Sequence, residues 1–413
     1  MPERIHTYKI LAIIFLLSIV CSNSAKAIIQ ITSQHQKCNV RPAHVDQPSL
    51  QATSPGLGSS LLLPFSTAKK VVKLSKIRYN RVEGFFLGVS PPEVKVANFE
   101  PFGYVGYGFE SYKWRYEIGL KRSWFWMNRL ELGTAYYDLT DTMDRWIVSG
   151  LENTLAALLF REDFMDYFHR KGWRIYAKQN ISETYLFGLE YRADRYETMK
   201  NRTDWSIFGG DKKFRPNPPV EEGKMRSILA TVEVDLMGYR QGWIFKGAYE
   251  KAGDPFEGDF DFHRLCLKGK RYQRTFGNQQ AVIHLMAGLH KSTAPDTLPE
   301  QRRFDLGGIE SLRGYRFKEF TGDRMILGNV YYLFGGDLLG RTDIPVVRTL
   351  QLILFTDSGV TFNRFKDLQL RDLKTDVGFA IADVDNNFRV NFAKRLDRGD
   401  DSIKITVRLV RKF

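Results

Sequence analysis

Cysteine is scarce in this sequence: the 413 residues include three, Cys21, Cys38 and Cys266. A disulfide framework is therefore excluded, and at most one bridge, Cys38 to Cys266, stays open after removal of an export signal. Long apolar runs are lacking too. Beyond the first residues no segment approaches about 18 consecutive apolar positions, which excludes crossing a membrane with helices. No stretch has the pattern of a nucleic-acid-binding module, so nucleic acid is not expected as a partner despite a formal charge of +14. Candidate chemistry is thin. His284 and His290 share one face of a strand with Met286 and Gly288, and Cys266 shares one with Arg264 and Lys268. No nucleophile set converges on them, and histidines six apart along a strand are too distant for one ion. No catalytic residue, metal site or cofactor is expected.

What is present begins with an address. "MPERIHTYK" is basic, "ILAIIFLLSIV" is apolar but short, and "CSNSAKA" ends in a small-x-small pattern. Residues 1–27 read as a secretory signal cleaved after Ala27. Its removal lowers the charge to about +12, still basic enough to favour acidic lipid headgroups and lipopolysaccharide phosphates. Residues 28–77 form a Pro/Ser/Gln-rich stretch without sustained periodicity, read as an irregular periplasmic leader with a short element around Val71 to Ile77.

From residue 78 to 413 the pattern turns to period two. "KWRYEIGLK" sets Trp114, Tyr116, Ile118 and Leu120 against Lys113, Arg115, Glu117 and Lys121. "SIKITVRL" sets Ile403, Ile405, Val407 and Leu409 against Lys404, Thr406 and Arg408. Strands with one apolar and one charged face, near the ~10 residues of a tilted crossing, predict a transmembrane antiparallel β-barrel. A soluble antiparallel sandwich alternates as well. Against it stand the recurring aromatics near segment ends (Tyr104, Tyr107, Trp114, Tyr136, Trp243, Tyr249) and a chain ending on Phe413. Fifteen strands centre near residues 86, 105, 117, 133, 176, 189, 232, 247, 265, 284, 329, 352, 378, 391 and 407. A short strand at Trp146 to Gly150 would make sixteen, and merging of weak segments would give 12–14. "NISET" and "MGYRQG" fit periplasmic turns, whereas about 195–224 and 291–322 fit external or lumen-folded loops. One segment breaks the period: Leu151, Leu155, Leu158 and Leu159 recur at helical spacing and predict a loop helix whose leucines face its own protein.

Two motifs carry a resemblance. "LGGIESLRGY" lies in the long connection before the fifth strand from the C-terminus, and "LFTDSGV" lies in the strand after that. Together they resemble the L-R-G-[YF] loop and F-x-D-x-G strand motifs of the bacterial surface antigen superfamily, the outer-membrane barrels of BamA, TamA and two-partner-secretion type. "YNRVEGFFLG" is similar to openings of such barrels. Between Ala27 and the barrel about 50 residues show no βααββ pattern, so the expectation is a barrel-only branch without POTRA domains.

Parity places Phe355, Asp357 and Gly359 on the inward face of their strand, opposite Leu352 and Leu354. A carboxylate there needs a partner or water. The resemblance implies that the long loop folds into the lumen and that Arg313, with Gly314 and Tyr315 beside it, meets Asp357 on the wall. A planar guanidinium suits such a bidentate pair. The implied function is insertion or passage of protein or lipid at the outer membrane of a Gram-negative-type bacterium. Partners would be outer-membrane lipid and lipopolysaccharide, with an envelope protein substrate or accessory subunit as further candidates. Two alternatives stay open: an anion-favouring channel, since the lumen carries many Lys and Arg, and a barrel hydrolase, for which no residue set is visible.

Overall fold

The computed structural model describes residues 73–92, 98–125, 129–292, 299–336, 338–339, 342, 344, 347–397 and 402–409. The proposed signal, most of the leader with Cys38, and the C-terminal Phe413 lie outside them. The first strands are β1 (Lys73–Asn80), β2 (Gly84–Ser90), β3 (Phe99–Gly108), β4 (Lys113–Trp124), β5 (Leu130–Asp141) and β6 (Phe168–Ile181). They are followed by β7 (Tyr185–Thr198), β8 (Gly223–Met237), β9 (Gly242–Ala252), β10 (Phe262–Arg274) and β11 (Gln280–Ser292). A small pair, β12 (Phe304–Leu306) and β13 (Phe320–Gly322), stands apart. The series ends with β14 (Arg324–Leu333), β15 (Leu350–Phe362), β16 (Lys374–Asp383), β17 (Phe388–Arg395) and β18 (Lys404–Leu409).

Sixteen of these form one sheet in chain order from β1 to β18, with every neighbouring pair antiparallel, and β12 pairs only with β13. All fifteen predicted strand centres fall inside strands of this sheet. The sixteenth is not at Trp146. Asp144–Trp146 is a 3₁₀ turn and Gly150–Phe160 a helix, α1, while the missing strand is β1. β1 begins inside the stretch assigned to the leader and overlaps the short element expected around Val71 to Ile77.

The sheet is apolar on its outward face, while its inner side carries buried charged residues beside apolar clusters. Ile118, Leu189, Leu285 and Ile405 are 61%, 54%, 51% and 62% exposed. Arg81, Glu83, Asp357 and Asp376 are buried. In lipid the outward row is solvated by hydrocarbon, and the antiparallel ladders satisfy the backbone between neighbouring strands. Among the expected interfacial aromatics Trp114, Tyr136 and Tyr249 are exposed, but Tyr104 turns inward onto Phe86. Successive antiparallel strands put the connections 142–167, 199–222, 253–261 and 293–323 at one end. The short turns 182–184, 238–241 and 275–279 lie at the other. No described helix is long and apolar enough to cross a membrane.

Candidate functional site: a loop clasped to the inner wall

The connection ahead of β14 folds back on itself. β12 and β13 pair Phe304 with Gly322 and Leu306 with Phe320, making a short stem. The intervening residues are bent by Gly307 (φ 121°) and Gly308 (φ 79°), where a side chain would be strained. A Gly307 Cβ would also fall 2.3 Å from the Arg316 carbonyl oxygen. The loop seats on an apolar stretch of inner wall: Phe304, Leu306, Leu312 and Tyr315 cluster with Met325 and Leu327 of β14.

At the tip, Arg313 and Asp357 form a bidentate pair. Arg313 Nε donates to Oδ2 at 2.7 Å and Nη2 to Oδ1 at 2.6 Å, with both side chains at most 2% exposed. The Arg313 backbone amide adds a longer bond at 3.3 Å. Asn329 Nδ2 donates both to Asp357 Oδ1 at 2.7 Å and to the Ser311 carbonyl at 2.8 Å, tying wall, carboxylate and loop backbone together. The guanidinium carbon sits 3.5 Å from the Phe355 ring centroid and 4.7 Å from that of Tyr331, so cation–π attraction adds to the pair. Burial disfavours the Arg313 charge, but Asp357 more than offsets this and holds its pKa above the ordinary arginine value.

The next two loop residues reach the next strand. Gly314 N donates to Asp376 Oδ2 at 3.0 Å, and Tyr315 Oη donates to the Thr375 carbonyl at 3.1 Å. A Cβ on Gly314 would lie 2.7 Å from Asp376 Cβ and 2.8 Å from the Arg395 backbone nitrogen, so only glycine fits. Gly359 faces Leu306 of the stem, and Gly378 leaves room for the Phe355 ring. The structure thus brings Arg313, Gly314, Tyr315, Phe355, Asp357 and Gly359 into one cluster. Asp376 and Asn329 belong to it as well, although sequence reasoning named neither. Asp376 was findable by parity, since it shares its inward face with Ala380 and Ala382, but Asn329 was not, because it shares its face with the apolar Met325 and Leu327.

A second set of ion pairs caps the loop end. Lys318 Nζ lies 2.8 Å from Asp144, 2.7 Å from Asp166 and 3.3 Å from Asp305. Arg81, fully buried, contacts Asp163 and Asp166 at 3.1 Å each. Burial opposes the Lys318 charge, but these carboxylates hold its pKa above the usual lysine value. Burial likewise raises Asp144, whereas Lys318 and Arg215 outweigh it at Asp166 and lower that group.

The other candidates stay apart. His290 is buried edge-on to Phe262, His284 lies beside Tyr331, and Cys266 is a buried free thiol. Among the described residues no His/Cys/Asp/Glu group could hold a metal ion.

These features define a transmembrane β-barrel whose longest loop enters the lumen and is clasped to the wall by an arginine. Residues 238–390 match the Omp85 superfamily domain, which supports an outer-membrane barrel of Omp85 type. Residues 66–237 match the C-terminal domain of a family of unknown function, DUF5686. The outer membrane protein assembly factor BamA of Nitratidesulfovibrio vulgaris is 25% identical over 265 residues, 57% of this chain. The aligned region spans only 31% of that protein's length. A crystal structure of BamA from Haemophilus ducreyi lacking POTRA domains 1–3 superposes with a TM-score of 0.52 at 10% identity. It covers 80% of this chain and 67% of the other. CdiB from Acinetobacter baumannii gives a TM-score of 0.39 at 11% identity, covering 81% and 58%.

Proposed function

We propose that this barrel assists the insertion or passage of protein or lipid at the outer membrane, without enzymatic chemistry of its own. The observation that carries this is the Arg313–Asp357 clasp within the Omp85 domain. It commits the longest loop to bracing the wall around β14, β15 and β16. The similarity to an outer membrane protein assembly factor supports the same reading. Membrane lipid and lipopolysaccharide are the surrounding partners, and an envelope protein is the proposed substrate.

An anion-favouring channel draws less support. The lumenal cations Lys121, Arg174 and Lys246 each face a carboxylate, namely Glu131, Glu117 and Glu233, so their charge is largely neutralised locally. The test is reconstitution. Proteoliposomes containing the barrel should accelerate the folding of a urea-denatured outer-membrane protein over empty liposomes, read as heat-resistant gel mobility. No acceleration, together with a steady anion-selective conductance in planar bilayers, would overturn the proposal.

A further inference from the structure

The two strands at the ends of the sheet are bonded to the same helix. The backbone amide of Tyr79 on β1 donates to Thr154 Oγ1 of α1 at 3.3 Å, in a buried position. The amide of Leu409 on β18 donates to Glu152 Oε1 of α1 at 3.0 Å. Arg408 reinforces the second contact. Its Nε lies 2.7 Å from Glu152 Oε1 and its Nη2 lies 3.2 Å from Oε2, while Nη2 also donates to the Ile147 carbonyl at 3.0 Å. The remaining Arg408 nitrogen, Nη1, reaches Glu310 of the clasped loop at 2.6 Å. An edge strand normally presents such amides to any strand that can pair with it. Here two of them are occupied by side chains two residues apart on one helix.

The helix turns buried polar residues to these contacts. Glu152, Asn153, Thr154 and Ala157 are fully buried, and Leu158 of the leucine stripe packs against Tyr79, Ala157 and Phe214. Leu151, Leu155 and Leu159 are half-buried and Phe160 is exposed. Ser149 caps the helix by accepting the Glu152 amide at 3.2 Å. In a reciprocal capping box the glutamate would bond back to the cap, but this carboxylate is turned to Arg408 and Leu409. Asn153 ties the helix to its own loop through Asp163, Tyr167 and the Phe164 amide. At the other end Ile207 and Phe208 donate to the Leu158 and Leu159 carbonyls, which would otherwise be orphaned. α1 is therefore held rigidly from behind. In the loop that receives this helix end, Trp205 lies against Tyr79 and Phe85.

We propose that α1 is a strap across the seam between the first and last strands, its polar residues holding both edges, and that the strap withdraws when the seam opens. The purpose of opening rests on the assembly reading above; the strap itself does not.

The test needs no substrate. In a cysteine-free background, spin labels at the lipid-facing Ile77 and Ile405 report the width of the seam in lipid nanodiscs. The unmodified strap should give one narrow distance population. Glu152→Ala with Thr154→Val should add a second, longer by at least about one strand spacing, ~5 Å. Thr154→Ser, which keeps the acceptor, should leave the distribution unchanged. Should the double variant not fold, Glu152→Gln keeps an acceptor for Leu409 but loses the ion pair, and a smaller second population is expected. Hydrogen exchange on the unsubstituted protein is the independent measure: the Tyr79 and Leu409 amides should be protected. Unchanged distances in the Glu152 variants, or unprotected amides, would overturn the strap. Because no substrate is present, that result would leave the assembly reading standing, and failure of the assembly assay would leave the strap standing.

Discussion

Asp357 and Asp376 face each other directly across the β15–β16 ladder, both fully buried, and consecutive loop residues answer them: Arg313 takes one and the Gly314 amide the other. Two adjacent carboxylates on a dry patch of wall are tolerable only while the loop supplies donors. The wall and the loop tip are therefore a single electrostatic unit.

Removing either side of the pair should consequently release the loop. Arg313→Ala strands Asp357, and Asp357→Ala strands Arg313. Each should cost about 3–5 kcal/mol, the penalty for leaving one buried charge alone. Limited proteolysis should nick residues 299–323 in both variants. The double variant should be little worse than either single change, since the second truncation removes the charge that the first stranded. Strictly additive losses would show that the two residues act independently.

Gly314→Ala tests the seat rather than the charge. The new Cβ would sit against the Arg395 backbone nitrogen, which cannot move without breaking the β16–β17 ladder. The loop tip should lift, giving the same proteolytic pattern as Arg313→Ala. Gly336→Ala, whose Cβ would meet nothing within 4 Å, is the matched control and should be silent.

Much of this was legible in the sequence because the fold obeys one rule. Period-two alternation locates fifteen strands and turns Asp357 inward, where a carboxylate demands a partner. Legibility fails where a surface is neither plain lipid nor plain water. On β14 the inward row Met325, Leu327 and Tyr331 is apolar because the loop lies on it, so parity alone cannot mark that face as lumenal. On α1 the stripe of leucines signals a helix correctly but says nothing of the polar residues beside it, whose partners are an arginine and two edge amides. β1 shows only as a short element around Val71 to Ile77, because a bulge between Leu74 and Lys76 breaks its alternation.

The lipid-facing assignment can be tested on one strand. Ile118, 61% exposed near the middle of β4, should not tolerate charge: Ile118→Arg should cost about 2–4 kcal/mol in urea unfolding from liposomes if it lies at the bilayer midplane. Lys121 on the same strand pairs with Glu131 in the part-exposed lumen. Lys121→Gln should cost less than about 1 kcal/mol. Equal costs would contradict the sidedness of β4.

The cap at the loop end should loosen on acidification, and the sign follows from its members. Asp166 titrates below the ordinary carboxylate range because Lys318 and Arg215 outweigh its burial. Its contribution is present above about pH 4, the unfolded value, and is lost as pH falls through the folded one. Lys318 titrates above its ordinary value, so its contribution holds below about pH 10 and is lost only as pH rises through the folded value. Asp144 is raised by burial and opposes folding while ionised, so its protonation softens the acid loss without reversing it. Protection of the 142–167 amides, taken relative to the intrinsic exchange rate at each pH, should therefore be flat from about pH 5 to 9 and fall below about pH 4. Lys318→Met removes the cation that keeps Asp166 ionised, so the acid transition should begin at a higher pH. A transition that stays in place in Lys318→Met would mean that Lys318 does not hold the cap together.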